Sequence, residues 1–265
     1  MVVARGPVVI RVDAASVATS TAIRTLVEEY RAVADAYIFL SGGASEVSDA
    51  VSGQLRTLLD ALPRLVAQGL RLAVGDGGTR AGIMEWAGLV RRRSGGAFPL
   101  LGVAPAEEVT VTPAPGRTAI DPNHSHVVLV ANPEWTGHRD ADRARGGGHW
   151  GAETDAMYEI FGRLCAGRAS AAVVVNGGAI TLDEVERNLA QRRPIVVVAG
   201  SGRAADAIVA HVRGIEPPEP AVRHLQDAVA QLGLDAHRDL VHVVDLGAGP
   251  AGLTERLAAL LGRLA

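Results

Sequence analysis

Four glycine turns offer the clearest chemistry in this chain: Gly42-Gly43, Gly75-Asp76-Gly77-Gly78-Thr79, Gly177-Gly178 and Gly200-Ser201-Gly202-Arg203. Each follows a short apolar run and leads into a helix-like stretch. A glycine there lets the backbone come close to a ligand, and the helix that follows offers unpaired N–H groups and a partial positive charge. Such a rim attracts phosphate. Glycine also serves strand-to-helix turns that bind nothing, so each single turn has a structural reading as well. Arg203 carries more information than an ordinary surface arginine, because a cation in the first turn of a helix opposes the macrodipole unless an anion sits beside it. Its guanidinium can hold a phosphate by a bidentate bond, and Ser201 can cap the helix or donate to an anion. Although Gly200 to Ala205 fits G-x-G-x-x-A, the dinucleotide fingerprint wants an acidic residue closing a strand about 20 residues on. Here Glu216 and Glu219 lie in a proline-rich segment.

Two carboxylates are candidates for catalysis, Glu153 and Glu184. Thr181-Leu182-Asp183-Glu184 reads as a T-x-x-E capping box, with Thr181 accepting from the Glu184 N–H and Glu184 reaching back. In the functional reading these carboxylates face the site and stabilise an oxocarbenium-like ribosyl centre or act as a general base. His124-Ser125-His126 puts two imidazoles on one face of a strand. A metal would need further ligands, for which only the distant His138, His149 and Glu153 offer themselves, so no metal is assigned. The structural reading has Asp121 and Asn123 shaping a turn while the imidazoles bond to backbone. There is no G-x-S-x-G elbow, and Cys165, late in a helix, reads as packing.

These residues need elements to carry them. Apolar, β-branched runs at 8–12, 37–40, 70–74, 99–103, 126–130, 171–175, 195–199 and 240–244 have the character of strands buried on both faces. Helical spacing fills most intervals, at 21–34, 48–68, 81–92, 153–164, 182–191, 204–212, 221–231 and 253–264. Pro63 should end or kink the second of these after Leu62. The alternation predicts an α/β, Rossmann-like, mostly parallel sheet with helices on both faces, its crevice beyond the carboxyl ends of the strands. Two stretches break the rhythm. Residues 104–123 hold four prolines, and 132–151 carry Gly146, Gly147 and Gly148 among charged residues; loops of this length tend to be functional, and the second is expected to close over a ligand. Gly214 to Pro220 is the one plausible linker, so the chain reads as a single domain, 1–265, with a C-terminal extension at 214–265.

Composition narrows the function. All 26 basic residues among the 265 are arginines, which excludes a Schiff-base lysine and a P-loop lysine. The formal net charge of -3 argues against nucleic acid as a partner. No apolar run reaches the roughly 18 residues of a membrane span, and neither a signal peptide nor an anchor is expected. A lone cysteine forms no intramolecular disulfide and fits a reducing compartment, so the cytoplasm is expected. No resident cofactor is assigned, and a homo-oligomer is left open.

Gly42-Gly43-Ala44, Gly77-Gly78-Thr79 to Met84, Leu101 to Pro105, Asp121 to His126, Trp150-Gly151-Ala152-Glu153, Asn176-Gly177-Gly178 and Gly200 to Asp206 follow one another in an order that resembles the cytosolic N-terminal domain of melastatin-type TRP channels, the SLOG-in-TRPM (LSDAT) type. The resemblance covers about residues 36–213. It implies a Rossmann-like domain binding a nucleotide-derived small molecule, ADP-ribose in some channels, with Thr79, Gly177, Gly178, Thr181 and Arg203 lining the site. At Met157 several channels carry arginine, which implies one anionic contact fewer here. More distantly, Asn176 to Glu184 is similar to the P-G-G-x-G-T-x-E-E motif of the Lonely Guy phosphoribohydrolases, with Asn176, Ile180 and Asp183 replacing the proline, the middle glycine and the first glutamate. Two functions follow: a sensor that binds the ligand, or a hydrolase or N-glycosidase that cleaves it.

Overall fold

The computed structural model describes residues 6–43, 47–115, 117–134, 149–216 and 220–262. In chain order the elements are β1 (Val8–Asp13), α1 (Thr21–Val33), β2 (Ala36–Gly42), α2 (Asp49–Leu58), α3 (Ala61–Ala67), β3 (Leu72–Asp76), α4 (Gly82–Arg93), β4 (Leu100–Pro105), β5 (Val109–Thr110), β6 (Thr118–Ala119), β7 (His126–Ala131), α5 (Thr154–Cys165), β8 (Ala169–Val175), α6 (Ala179–Ala190), β9 (Ile195–Ala199), α7 (Arg203–Arg213), α8 (Pro220–Arg223), α9 (Gln226–Gln231), β10 (Val241–Asp245) and α10 (Gly249–Leu261). Eight strands join in one sheet in the order β1-β7-β4-β3-β2-β8-β9-β10. Every pairing in it is parallel. The eight apolar runs are these eight strands, which confirms the α/β, Rossmann-like expectation.

Because successive strand residues point to opposite faces, β2 supplies Tyr37 and Phe39 to one core and Ile38 and Leu40 to the other. On the first face lie α1, α5, α6, α7 and α9, with Phe39 stacked on Phe161 at a ring separation of 4.1 Å. On the second lie α2, α3, α4 and α10. Alternation within the sequence thus becomes two layers over one sheet. Residues 241–245 extend the same sheet beside β9, and α10 packs on the second core, so the residues past 213 are built into the fold.

Several boundaries differ from the sequence expectation, each for a local reason. The break in the second helical stretch falls at Leu59–Asp60, and Pro63 stands in the first turn of α3, where a missing N–H costs nothing. The stretch at 221–231 divides into α8 and α9. Helix α10 starts four residues before Leu253 because Pro250 suits a first turn. The proline-rich 104–123 segment holds a two-residue ladder, β5 with β6.

Candidate functional site

From β2 the chain runs through α2 and α3 on one face to β3, while from β8 it runs through α6 on the opposite face to β9. The turns after these adjacent strands therefore part company and leave a crevice between them, the position at which doubly wound sheets hold ligands. A cavity of about 500 Å³ opens there. Its walls include Gly42 at the end of β2 and Gly43 after it, Gly77 and Thr79 after β3, and Gly177, Gly178 and Thr181 at the start of α6, with Arg203 at the first position of α7.

The geometry of these turns explains their glycines. Gly42 has φ +141°, and a Cβ on it would lie 1.9 Å from the carbonyl oxygen of Val175, its partner in the β2–β8 ladder. Gly78 has φ +68°, and its backbone packs against Gly102 so closely that a Cβ on either would fall within 3.0 Å of the other's Cα. Under that turn sits a buried ion triplet. Nε2 of His124 lies 2.8 Å from Asp76 Oδ1, and Nδ1 lies 2.9 Å from Asp121 Oδ2. Asp76 Oδ1 also accepts the Gly78 N–H at 2.7 Å. Burial alone would lower the His124 pKa, but the two carboxylates outweigh it and raise the imidazole to about 9. The expected imidazole-to-backbone bonds are therefore replaced by bonds to carboxylates, while His126 turns instead to the Tyr30 hydroxyl at 3.3 Å.

Helix α6 begins at Ala179, three residues before the sequence expectation. Thr181 sits in its first turn and its hydroxyl accepts the Gly178 N–H at 3.3 Å. The expected Thr181–Glu184 capping box is therefore not formed: Glu184 lies one turn inside the helix, where it has no orphan N–H to cap, and it lines the cavity with Glu153. Burial pushes the Glu184 carboxyl up to about 8; a hydrogen bond with Ser41 opposes this, and Glu153 and Asp183 reinforce it.

The family model described as SLOG in TRPM, prokaryote, matches residues 35–142 and 144–253. The chain belongs to the prokaryotic SLOG-in-TRPM family. The match extends beyond residue 213 and takes in α8, α9 and β10. Among solved structures, this SLOG-in-TRPM chain is similar to the molybdenum cofactor (Moco) carrier protein of Chlamydomonas reinhardtii. Two structures match at 18% and 17% identity, each covering 86% of this chain and 99% of that one, with TM-scores of 0.45 and 0.47. It is also similar to the molybdenum cofactor binding protein of the phototrophic bacterium Rippkaea orientalis, at 11% identity over 85% of this chain and 96% of that one, with a TM-score of 0.48.

Within the SLOG-in-TRPM fold, Gly42, Gly43, Gly77, Thr79, Glu153, Gly177, Gly178, Thr181, Glu184 and Arg203 come together on one cavity. Gly78, Gly200, Ser201 and Gly202 are not among its lining residues. The N–H groups of Gly200 and Gly202 donate to the Asp206 carboxylate at 2.7 and 3.1 Å, so this turn carries its own anion. Ser201 is buried, donating to the Val198 carbonyl at 2.6 Å and accepting the Asn176 N–H at 2.9 Å. The Ala204 and Ala205 N–H groups of α7 donate to the Gly177 and Asn176 carbonyls at 3.3 and 3.0 Å. Arg203, with φ +45°, reaches back until its Nη2 would be 3.3 Å from a Cβ on Gly178. Met157 is buried in the first core. The closing loop falls largely at 135–148, outside the described residues, as do Ala44 and Pro217 to Glu219. Trp150, at the edge of that loop, lines the cavity.

Sequence reasoning missed the wall formed by His224, Leu225 and Ala228. Their segment reads only as amphipathic helix, with no chemical signal. Ser41 Oγ and the Tyr158 hydroxyl also meet in the core, 3.5 Å apart, a pair with no sequence signal, since a serine in an apolar strand and a tyrosine in a helix are ordinary core residues.

Proposed function

We propose that the protein binds a nucleotide-derived small molecule in the cavity between the Gly42-Gly43 and Gly177-Gly178 turns, with its phosphate beside Arg203. The observation that carries this reading is the position of the cavity at the sheet's switch point, with a guanidinium drawn over Gly178 at the start of α6. Family membership supports a nucleotide-derived ligand through the resemblance to channel domains, of which some bind ADP-ribose. Ligand present at about 100 times its dissociation constant adds about 2.7 kcal/mol to stability. Thermal melting against a panel of adenine and other nucleotides, cyclic dinucleotides and ADP-ribose variants tests the reading, and a melting temperature unmoved by the whole panel refutes it.

Glu184 favours a second reading, a hydrolase or N-glycosidase acting on the same ligand class. It is free of a capping role, shares the cavity with Glu153 and retains its proton near neutral pH, as a general acid must. Mass spectrometry of nucleoside phosphates incubated with the protein separates the two: released base or ribose phosphate marks the enzyme, and a retained, unchanged ligand marks the sensor.

A further inference from the structure

At the carboxyl end of the sheet the chain changes faces a second time. Strands β9 and β10 are parallel neighbours. The chain leaves β9 into α7, which packs on the first core, and leaves β10 through a short 3-10 turn, Leu246–Ala248, into α10, which packs on the second. These connections part as those after β2 and β8 do, and open α/β sheets hold ligands at such points. A cavity of about 420 Å³ opens between them and shares no lining residue with the first.

The chemistry of this second cavity differs from that of the first. Asp206, Val209, Ala210 and Arg213 line it from α7, at the i, i+3, i+4, i+7 spacing of one helix face. Leu246 lines it from the turn after β10, and Ile215 stands at its edge with 56% of its surface exposed, an apolar area that a ligand could cover. The ionisable residues among those lining it are Asp206, Arg213 and Asp245, two carboxylates against one guanidinium. Nη2 of Arg213 lies 3.2 Å from Asp245 Oδ1, and both side chains keep contact with water, at 44% and 69% exposure. An ion pair this exposed is worth little, so either partner can be exchanged at small cost. The Gly200 and Gly202 N–H groups, which would meet a phosphate in a strand-to-helix turn, donate to Asp206 instead. An anion entering here would face two carboxylates; a cation would restore the balance of charge.

We propose that this second cavity binds an organic cation, a protonated amine on an apolar body, whose ammonium takes the place of Arg213 beside Asp245 while the body lies on Val209, Leu246 and Ile215. An ammonium has only donors, as the Asp245 carboxylate requires. The proposal does not rest on nucleotide binding in the first cavity.

Amide NMR spectra of the intact protein titrated with hexylamine test it, with hexanol and hexanoate as the uncharged and anionic counterparts. Hexylamine should shift the Gly200, Leu246 and Gly247 amides saturably, hexanol more weakly, and hexanoate not at all. Asp245→Asn should weaken hexylamine binding about three- to tenfold, the worth of a charge pair partly shielded from water. Arg213→Ala should tighten it about two- to fivefold, because the competing cation is gone, whereas loss of a side chain that only shapes the wall would weaken it. Gly247→Leu adds bulk at a lining position where a Cβ meets nothing within 4 Å. It should keep the melting temperature and abolish the shifts at Gly200 and Leu246. The absence of saturable shifts at the three amides overturns the proposal, as does equal affinity for hexanol or hexanoate. So does an affinity unchanged in Asp245→Asn or lowered in Arg213→Ala, or hexylamine that shifts only Gly177 and Gly178 of the first cavity. A nucleotide panel that fails to bind would remove the proposed function and leave these shifts as they are.

Discussion

His124 and Asp76 meet at 2.8 Å beneath the Gly77–Thr79 turn, 48 residues apart in the chain and both without exposed side-chain surface. The other Asp76 oxygen, Oδ2, is buried and has no hydrogen-bond partner among the described residues. His124 and the Gly78 N–H therefore carry the compensation of that charge. Since Gly78 is pinned to the same carboxylate, one wall of the cavity depends on an ion pair that solvent does not reach.

Stability should fall on the alkaline side because of this pair. The folded His124 pKa, about 9, stands above the ordinary 6.5. A raised pKa means the folded state holds the proton more tightly, so the contribution is complete below about pH 6.5 and is lost as pH rises through about 9. Urea unfolding between those limits should show a decline of roughly 3 kcal/mol. His124→Asn should be less stable at neutral pH and should lack this decline; a wild type equally stable at both limits would contradict the charged triplet.

Glu184 leads to the opposite behaviour of a variant. Its carboxyl is raised from 4.5 to about 8, chiefly by burial, so the cost of ionising it in the folded state appears as pH climbs from 4.5 to 8. Glu184→Gln removes that cost and should gain stability relative to the wild type across that window, levelling off above it. The same variant should abolish cleavage if the protein is an enzyme. A stability difference that is constant with pH would place Glu184 in solvent.

Arg203→Ala should weaken nucleotide binding by about 1.5–3 kcal/mol, the size of a charge-assisted hydrogen bond to phosphate. Arg203→Lys should recover only part of it, because an ammonium cannot reproduce the bidentate fork. Arg203→Gly loses the guanidinium but relaxes the positive φ, so its ligand-free melting point should stand above that of Arg203→Ala. Calorimetric titration beside melting curves measures both quantities, and unchanged affinity in all three variants would remove Arg203 from the site.

Gly102→Ala should damage the cavity from behind. The new Cβ would come to 2.4 Å from the Gly78 Cα, which is backbone and can yield only by moving the Gly77–Thr79 turn. A loss of about 1–3 kcal/mol is expected from overpacking of this kind, together with weaker ligand binding. Gly95→Ala, whose Cβ meets nothing within 4 Å, serves as the comparison. Its φ of +68° still brings strain, so it should lose stability without losing affinity.

How much of this was legible in the sequence depends on the range of the physics involved. The eight strands stand out because β-branched residues buried on both faces leave continuous apolar runs, and their alternation with helical spacing is enough for a parallel sheet with two helical layers. The glycine turns were visible because close backbone approach leaves a compositional trace, and ten of the proposed site residues do share one cavity. Strand order left no such trace. Nothing local in β2 or β8 says that they are neighbours, so the crevice between them exists only once the sheet has formed.

The chemistry of single residues was decided at still longer range. Thr181 and Glu184 satisfy a capping pattern, but Ala179 and Ile180 continue the helix upstream, leaving Glu184 to the cavity. Gly200, Ser201 and Gly202 look like a phosphate turn, yet Asp206 takes two of its N–H groups. Asp76 meets His124, and Ser41 meets Tyr158 across 117 residues, because the fold sets β3 beside β4 and β4 beside β7, and lays α5 over β2. Residue type and spacing thus determined which elements form and which groups can do chemistry. Only tertiary packing, by burying some of those groups together and supplying others with internal partners, decided which of them face the cavity.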